Sequence, residues 1–349
     1  MWTFAAHLPG AMFMKQLLHK GIIGFFMVFT MISCGKKAVE TPQNTTPTGG
    51  NTTQPEIIQT ITLTNPTGGD PLKAVLFIPA SSVSVPAVVV QHGSGGLWSS
   101  SDLTNTQLAT QFNIWIDSFR VNKIAALFVD SYSARGVKDF HDKAPPENIF
   151  LAAEFIRPRD AYAGLSYLRT LSRIKSNKIA LLGFSHGGTS VLSTMVDAQA
   201  VSKPTWSLIS GGVTYTNGVL APAQRPAEGG FVAAVSYYPG AAMFSYYGRP
   251  GTPSNGKYIP YAPIMIHAAG KDPLYTNLYS NSDNNTNISA YDGLILKAQQ
   301  SNLSAPMSLH VYANAAHSFD GSTGTSDDAT ANLLAKKRTL DFLKTYLFN

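Results

Sequence analysis

Short apolar runs recur along the chain from about residue 58 onward, separated by polar or glycine-rich stretches. Six of these runs show no alternation of apolar and polar positions, which is typical of strands buried on both faces of a parallel sheet. They are Ala87–Val90, Ile124–Val129, Ile179–Leu182, Phe231–Ser236, Pro263–Ala268 and Met307–Ala313. Two earlier runs, Ile57–Leu63 and Leu72–Ile78, flank the turn signals of residues 65–70 and predict a pair of strands.

Helical patterns fill the intervals between the runs. The predicted helices are Leu103–Phe119, Asn148–Ser172, Gly187–Ala198, Ala290–Ser301 and Asp328–Phe348. Because strands alternate with helices, the pattern predicts an α/β fold with a doubly wound, mostly parallel sheet and helices on both faces. Residues 199–230 and 240–260 interrupt the alternation and are rich in glycine and proline. Such segments are either functional loops or surface inserts.

The N-terminal segment has a different character. A short basic region, residues 15–20, precedes the uncharged apolar stretch 21–33 and then Cys34. This order resembles a bacterial signal peptide ending in a lipobox, in which the cysteine carries the lipid. We therefore expect residues 1–34 to be a signal peptide and Cys34 to anchor the protein to a membrane outside the cytoplasm. Gly35 lacks the acidic side chain that retains some lipoproteins in the inner membrane, which favours the outer membrane or cell surface. The alternative is an ordinary signal peptide with an incidental cysteine.

Three boundaries follow from this segment. Met14 is a better start for such a signal than Met1, so residues 1–13 fit a mis-assigned extension. Residues 35–57 consist mainly of Lys, Thr, Pro, Gly, Asn and Gln and predict a flexible tether. Residues 58–349 then form one folded domain.

Composition narrows the range of functions. The 349 residues are 44% hydrophobic and only 13% charged, which suits a globular domain with a sizeable core. The net charge is +6 without any dense Lys/Arg tract, so we expect no nucleic-acid partner. A single cysteine cannot form a disulfide within the chain, and no Cys/His spacing indicates a metal site. We expect no metal and no organic cofactor.

The stretch Gly-Phe-Ser-His-Gly-Gly, residues 183–188, carries the strongest chemical signal. It follows a predicted strand and precedes a predicted helix, which is the context of a nucleophile elbow. Glycines at 183 and 187 would let the strained turn at Ser185 form without clashes. The motif occurs by chance in many proteins, so an ordinary glycine-rich turn is the alternative.

A serine hydroxyl needs a base and an orienting acid before it becomes a nucleophile. His317 follows the last predicted strand, and Asp272 follows the strand before it. All three residues therefore lie beyond the carboxyl ends of strands, where open α/β sheets build their sites. Asp197 and Asp320 are poorer candidates for the acid, since one lies late in the elbow helix and the other follows the histidine.

The glycine-rich loop 92–96 can supply oxyanion donors. It follows the strand Ala87–Val90, and its Gly93 and Ser94 lie where a backbone N–H could face a carbonyl oxygen. We expect the donors to be the backbone N–H groups of Ser94 and of His186, the residue after the serine.

From about residue 70 to 349 the chain resembles an α/β-hydrolase of the dienelactone hydrolase-like group. The resemblance rests on HGSGG (92–96), VDSYSARG (129–136), RPRDAYAGLSYL (157–168), KIALLGFSHGG (178–188), AAGKDP (268–273) and YANAAHSF (312–319). It implies that Ser185, Asp272 and His317 form a catalytic triad in the usual chain order. The founding enzyme has a nucleophilic cysteine where this chain has Ser185, which favours a generic carboxylic ester over dienelactone.

Several other residues stay open between two interpretations. His92 either braces the oxyanion loop, which we prefer, or takes part in chemistry. Arg135 either contacts the substrate or belongs to a buried ion pair that ties its loop, with Asp130, to Arg159 or Asp160. Six tyrosines could form an aromatic wall near the site or serve only in packing; they are Tyr237, Tyr238, Tyr246, Tyr247, Tyr258 and Tyr261.

The sequence thus predicts a lipid-anchored serine hydrolase of small-molecule esters that forms an acyl-enzyme on Ser185. A peptidase or an acyltransferase with the same three residues is one alternative. A surface-tethered binding protein that kept the fold without the chemistry is another.

Overall fold

A computed structural model describes ten stretches of the chain. These are residues 52–100, 107–142, 151–197, 208–210, 213–215, 222–240, 258–281, 285–301, 305–321 and 324–349. The predicted signal peptide, Cys34 and the tether up to residue 51 lie outside these stretches, as do Tyr246 and Tyr247. Within them, no helix has the length and apolar character needed to cross a membrane.

The described part of the chain contains twelve strands. They are β1 (Ile57–Leu63), β2 (Leu72–Ile78), β3 (Val85–Gln91), β4 (Ala125–Val129), β5 (Ile174–Phe184), β6 (Leu208–Ser210), β7 (Val213–Tyr215), β8 (Ala234–Tyr237), β9 (Ile264–Ala269), β10 (Leu278–Asn281), β11 (Thr286–Ser289) and β12 (Met307–Tyr312). Eight of them form one sheet in the order β1-β2-β4-β3-β5-β8-β9-β12. β2 is antiparallel to both of its neighbours, β1 and β4. The six strands β4, β3, β5, β8, β9 and β12 are parallel to one another.

Helices cover both faces of this sheet. They are α1 (Thr110–Val121), α2 (Arg157–Arg169), α3 (His186–Thr194), α4 (Pro273–Thr276), α5 (Ala290–Gln300) and α6 (Ser326–Leu347). One apolar cluster lies between the sheet and α2, α3 and α5, and a second lies between the sheet and α1 and α6. Along β3, Val89 joins the first cluster, whereas Val88 and Val90 join the second. The predicted doubly wound, mostly parallel α/β fold is therefore confirmed.

The apolar runs predicted the central strands well. All residues of β3, β4 and β9 are buried, as expected for strands covered on both faces. β12 differs, since most of its residues are only half-buried because it is the last strand at the edge of the sheet. β5 begins at Ile174, earlier than predicted. Its residues 175–178 are polar, so the apolar pattern did not reveal this first part of the strand, where the register with β3 shifts.

The helix boundaries were less accurate. α2 begins at Arg157 rather than Asn148, and Pro158 occupies its first turn, where a missing N–H costs no hydrogen bond. α1 begins at Thr110, since Leu108 instead forms a β-bridge with Trp98. The hairpins β6–β7 and β10–β11 were not predicted.

The strand order places a crevice at β3. The chain passes from β3 to its neighbour β4 on one side and later crosses to β5 on the other side. Ligands of open α/β sheets bind at such a switch point, beyond the carboxyl ends of the strands. Residues 92–96 and 185–188 follow β3 and β5 at this position.

Candidate active site

Ser185 lies in a strained turn between β5 and α3. Its φ of 51° and ψ of −115° lie outside the common regions for a residue with a side chain. A Cβ on Gly183 would lie 2.3 Å from the carbonyl oxygen of Gly187. A Cβ on Gly187 would lie 2.3 Å from the carbonyl oxygen of Gln91, at the end of β3. The two glycines therefore allow the elbow to form and to pack directly against the loop after β3.

Replacing Gly187 with alanine is expected to destabilise the protein by about 3 kcal/mol, because the clash is with backbone atoms of β3. It should also lower kcat for an ester about 100-fold by shifting Ser185 relative to the loop 93–96. Thermal unfolding and steady-state kinetics measure the two effects. Gly95→Ala is the matched control for stability, since its Cβ would meet no atom within 4 Å. Equal stability of both variants would contradict the packing argument.

Ser185, His317 and Asp272 form a chain of hydrogen bonds. The Ser185 hydroxyl lies 2.8 Å from Nε2 of His317. On the other side of the ring, Nδ1 of His317 lies 2.5 Å from Oδ2 of Asp272. Since a carboxylate only accepts, the ring proton lies on Nδ1, and Nε2 is the acceptor for the serine proton. The structure thus brings together the three residues that the sequence proposed as a triad.

Local structure holds the acid and the histidine in place. Asp272 caps α4, since its Oδ1 accepts a hydrogen bond from the backbone N–H of Leu274 at 2.9 Å. Its side chain is 2% exposed, whereas that of His317 is 32% exposed. The loop before His317 is anchored by a 2.8 Å bond from the backbone N–H of Ala316 to Asp328 at the start of α6. The imidazole is therefore held by Asp272 and by the anchored loop, while its exposed part faces the cavity.

The loop 93–96 also lines the site. A Cβ added to Gly93 would lie 3.6 Å from Cβ of Ser185, so the loop passes close to the elbow with room for little more than one methyl group between them. His186 is the first residue of α3, so its backbone N–H belongs to the helix N-terminus, which favours negative charge. These positions suit the predicted oxyanion donors, the N–H groups of Ser94 and His186.

His92 braces this loop from inside the protein. Its ring is fully buried, donates from Nδ1 to the carbonyl of Gly93 at 2.7 Å and accepts at Nε2 from the N–H of Ser131 at 3.1 Å. Acceptance at Nε2 requires the neutral ring, and burial together with the nearby Arg157 lowers the pKa of His92 to about 3. The ring is not among the residues that line the cavity. We therefore assign His92 to support of the loop.

Acid is expected to destabilise the protein partly through His92. The folded pKa of about 3 lies below the ordinary 6.5, so between these values the unfolded chain binds more protons than the folded one. The free energy of unfolding should fall as pH drops through this window, by up to about 1.4 kcal/mol per pH unit from this residue. His267, whose pKa burial also lowers, adds to the same trend. Urea unfolding of wild type and His92→Gln from pH 7 to about 4 measures how much of the fall in the free energy of unfolding is due to His92.

Arg157 is a structural residue of the site to which the sequence analysis gave no role. Its guanidinium is fully buried, and Nη2 donates to the carbonyl of His92 at 2.7 Å. Nη1 lies 3.1 Å from Nδ1 of His186, and the hydroxyl of Tyr132 lies 2.6 Å from the same nitrogen, whose single lone pair the two donors share. Arg157 thereby ties the loop after β3 to the elbow. Its place in the segment RPRDAYAGLSYL (157–168) was the available sequence signal, but only the structure shows its burial and its partners.

Arg135 is not among the described residues that line the cavity, which favours the buried ion pair over the substrate contact. Both terminal nitrogens of its guanidinium bind the Asp160 carboxylate, each at 2.9 Å. The side chain is 9% exposed and its partner is fully buried. The same two nitrogens also donate to the carbonyl of Ser131 at 2.6 Å and to the hydroxyl of Thr67 at 2.9 Å, so their donors are occupied by the protein itself. The buried ion-pair interpretation therefore holds for Arg135, whereas Asp130 binds the indole N–H of Trp98 at 2.6 Å.

Ser185 and His317 open into a cavity of about 290 Å³. Of the six tyrosines considered, Tyr238 lines this cavity, and its ring lies 4.9 Å from that of His317. Tyr237 and Tyr258 are core residues, and Tyr261 bonds to Tyr162. An aromatic wall of tyrosines is therefore not present among the described residues.

The two rival acids have other partners. Asp320 lines the cavity but binds the side chains of Tyr238 and Gln111. Asp197 follows α3 and pairs through its backbone with Ile259. Asp272 is the carboxylate that bonds to His317.

Comparison with known proteins agrees with this architecture. Residues 218–347 match the dienelactone hydrolase family. No curated protein sequence matches the chain. The structure resembles that of a candidate dienelactone hydrolase from Klebsiella pneumoniae, at 13% identity over 84% of this chain and 100% of that one, with a TM-score of 0.52.

Two further solved structures share the fold. A dienelactone hydrolase-like promiscuous phosphotriesterase from metagenomic libraries is 15% identical over 84% of this chain and 99% of its own, with a TM-score of 0.53. Dipeptidyl peptidase 4 from Porphyromonas gingivalis is 15% identical over 85% of this chain and 36% of its own, with a TM-score of 0.50. At these identities the likeness concerns the fold. The chain therefore has the α/β-hydrolase fold, and its residues 218–347 match the dienelactone hydrolase family.

Proposed function

We propose that this α/β hydrolase is a serine esterase that cleaves carboxylic esters through an acyl-enzyme on Ser185. The observation that carries the proposal is the hydrogen-bond chain from the Ser185 hydroxyl through His317 to Asp272, at 2.8 and 2.5 Å. Ser185 and His317 line a cavity that is also lined by the loop 93–96. An activated hydroxyl beside backbone N–H donors suits acyl transfer.

Acylation uses each of these groups in turn. The Ser185 oxygen attacks the ester carbonyl carbon while Nε2 of His317 takes the hydroxyl proton. The carbonyl oxygen becomes an oxyanion that accepts hydrogen bonds from the N–H groups of Ser94 and His186. Asp272 stabilises the imidazolium through its bond to Nδ1. The intermediate then expels the alkoxide, which takes the proton from Nε2 and leaves as the alcohol.

Deacylation repeats these steps with water. His317 takes a proton from a water molecule, whose oxygen attacks the acyl carbon. The second tetrahedral intermediate releases Ser185, which recovers its proton from Nε2, and the product is a carboxylic acid. The reaction thus consumes one ester and one water and yields one acid and one alcohol.

A fluorophosphonate probe tests the proposal. Treatment of the full chain, followed by peptide mapping by mass spectrometry, is expected to give one adduct, on Ser185, that is absent from Ser185→Ala. Folded protein without an adduct would contradict the esterase proposal and support a binding protein of the same fold. Assays with amides and with competing alcohol acceptors separate an esterase from a peptidase or an acyltransferase. Lipidation of Cys34 and a location in the cell envelope stay predictions from the sequence.

A further inference from the structure

The cavity beside Ser185 has aromatic walls and one carboxylate. Its aromatic lining residues, apart from His317, are Trp98, Phe112, Phe184 and Tyr238. The carboxylate belongs to Asp320, and neither lysine nor arginine lines the cavity within the described stretches. Aromatic faces and a carboxylate both attract cations, whereas both disfavour an anion.

Asp320 is held rigidly at this wall. Its side chain is buried, with 7% of the residue exposed, and it accepts one hydrogen bond at each carboxylate oxygen. Oδ2 accepts from Nε2 of Gln111 at 2.7 Å, and Oδ1 accepts from the hydroxyl of Tyr238. Burial raises the pKa of Asp320, while these two donors oppose that shift by favouring the charged form. Since each carboxylate oxygen can accept a second hydrogen bond, Asp320 can still interact with a bound ligand.

No described cation forms an ion pair with Asp320. The positive charge that acts on it is that of Lys336, which is not among the described residues lining the cavity and whose ammonium lies 5.7 Å from the Trp115 ring centroid. Arg135 forms its ion pair with Asp160 and therefore does not neutralise Asp320. The charge of Asp320 is therefore only partly compensated, and its field extends into the cavity.

We propose that this cavity selects esters that carry a cationic group and rejects esters that carry an anionic one, with Asp320 as the specificity-determining residue. The inference rests on the proposed esterase function. It deepens that function by naming the charge of the substrate. A quaternary or protonated amine on the acyl or alcohol part would lie between Asp320 and the aromatic faces, while the ester carbonyl lies at Ser185.

Three matched nitrophenyl esters test the selection. They have the same butanoyl chain and end in a trimethylammonium, a tert-butyl or a sulfonate group, so they differ mainly in charge. A second pair, acetylcholine and 3,3-dimethylbutyl acetate, places the charge on the alcohol. In at least one series, wild type is expected to show kcat/KM roughly tenfold higher for the cation than for the neutral ester, and the sulfonate lower still.

Asp320→Asn keeps the size of the side chain and removes its charge. The ratio of kcat/KM for cation and neutral ester should fall toward one in this variant, even if the absolute rate changes for both. Asp341→Asn is the matched control, because Asp341 lies exposed on α6 beside Lys337, and its ratio should equal that of wild type. A wild-type ratio near one in both series, or an unchanged ratio in Asp320→Asn, would overturn the proposal.

Direct binding separates this proposal from the esterase proposal. Calorimetric titration of the wild-type full chain with butyltrimethylammonium and with butanesulfonate requires neither catalysis nor a variant. Tighter binding of the cation is expected, and equal or reversed binding would reject the inference. If no ester is hydrolysed while the cation still binds, the esterase proposal alone fails.

Discussion

Ser185→Ala is expected to lower kcat for ester hydrolysis by about 10⁴-fold or more. The substitution removes the atom that attacks the carbonyl, while the cavity and the loop 93–96 stay in place. The Ser185 hydroxyl bonds to the ring of His317 and to no other described side chain, so its loss should leave the fold intact. Steady-state kinetics on an activated ester, beside circular dichroism and thermal unfolding, measure both parts of the prediction.

A matched control shows whether the loss is specific. Ser118 on α1 donates to the carbonyl of Ile114 on the same helix and lies away from the cavity. Ser118→Ala should keep wild-type kcat and KM. Turnover in Ser185→Ala within tenfold of wild type would exclude the acyl-enzyme on this residue.

Asp272→Asn is expected to lower kcat by about 10³ to 10⁴-fold with little change in KM. The amide oxygen of asparagine can still accept from the backbone N–H of Leu274, which turns the amide NH₂ toward Nδ1 of His317. Nδ1 of His317 would then have to accept a hydrogen bond from the amide, so the ring proton would move to Nε2. A ring protonated at Nε2 cannot take the proton of Ser185.

The tautomer is directly observable in this variant. Nitrogen chemical shifts of labelled His317 should report protonation at Nδ1 in wild type and at Nε2 in Asp272→Asn. Asp341→Asn, a change of the same type at an exposed position, should alter neither the spectrum nor kcat. A wild-type kcat in Asp272→Asn would show that another group orients the histidine.

Much of the fold was readable from local patterns. Burial on both faces produces unbroken apolar strands, and β3, β4 and β9 were found where such runs occur. The edge strand β12 looked the same in sequence although most of it is half-buried. The amino-acid pattern records how apolar a strand is, but it does not state which strands lie beside it.

In the site, too, some residues could be identified from the sequence and others only from the structure. The serine of the elbow could be named from its glycines, because a strained turn packed against a neighbouring strand tolerates no larger residue at 183 or 187. The acid was harder, since Asp272 and Asp320 both follow late strands. Asp272 bonds to His317 because it caps α4 at the end of β9, whereas Asp320 bonds to Tyr238.

Sequence alone determined the alternation of strands and helices, the elbow at residues 183–188 and the types of residue available for catalysis. These features depend on neighbours within a few positions, whose period and turn chemistry are local. Tertiary structure alone decided the strand order around β3, the pairing of Arg135 with Asp160 and the place of Asp320 in the cavity. Those contacts join residues far apart in the chain, and their energy depends on burial and geometry that exist only once the sheet has assembled.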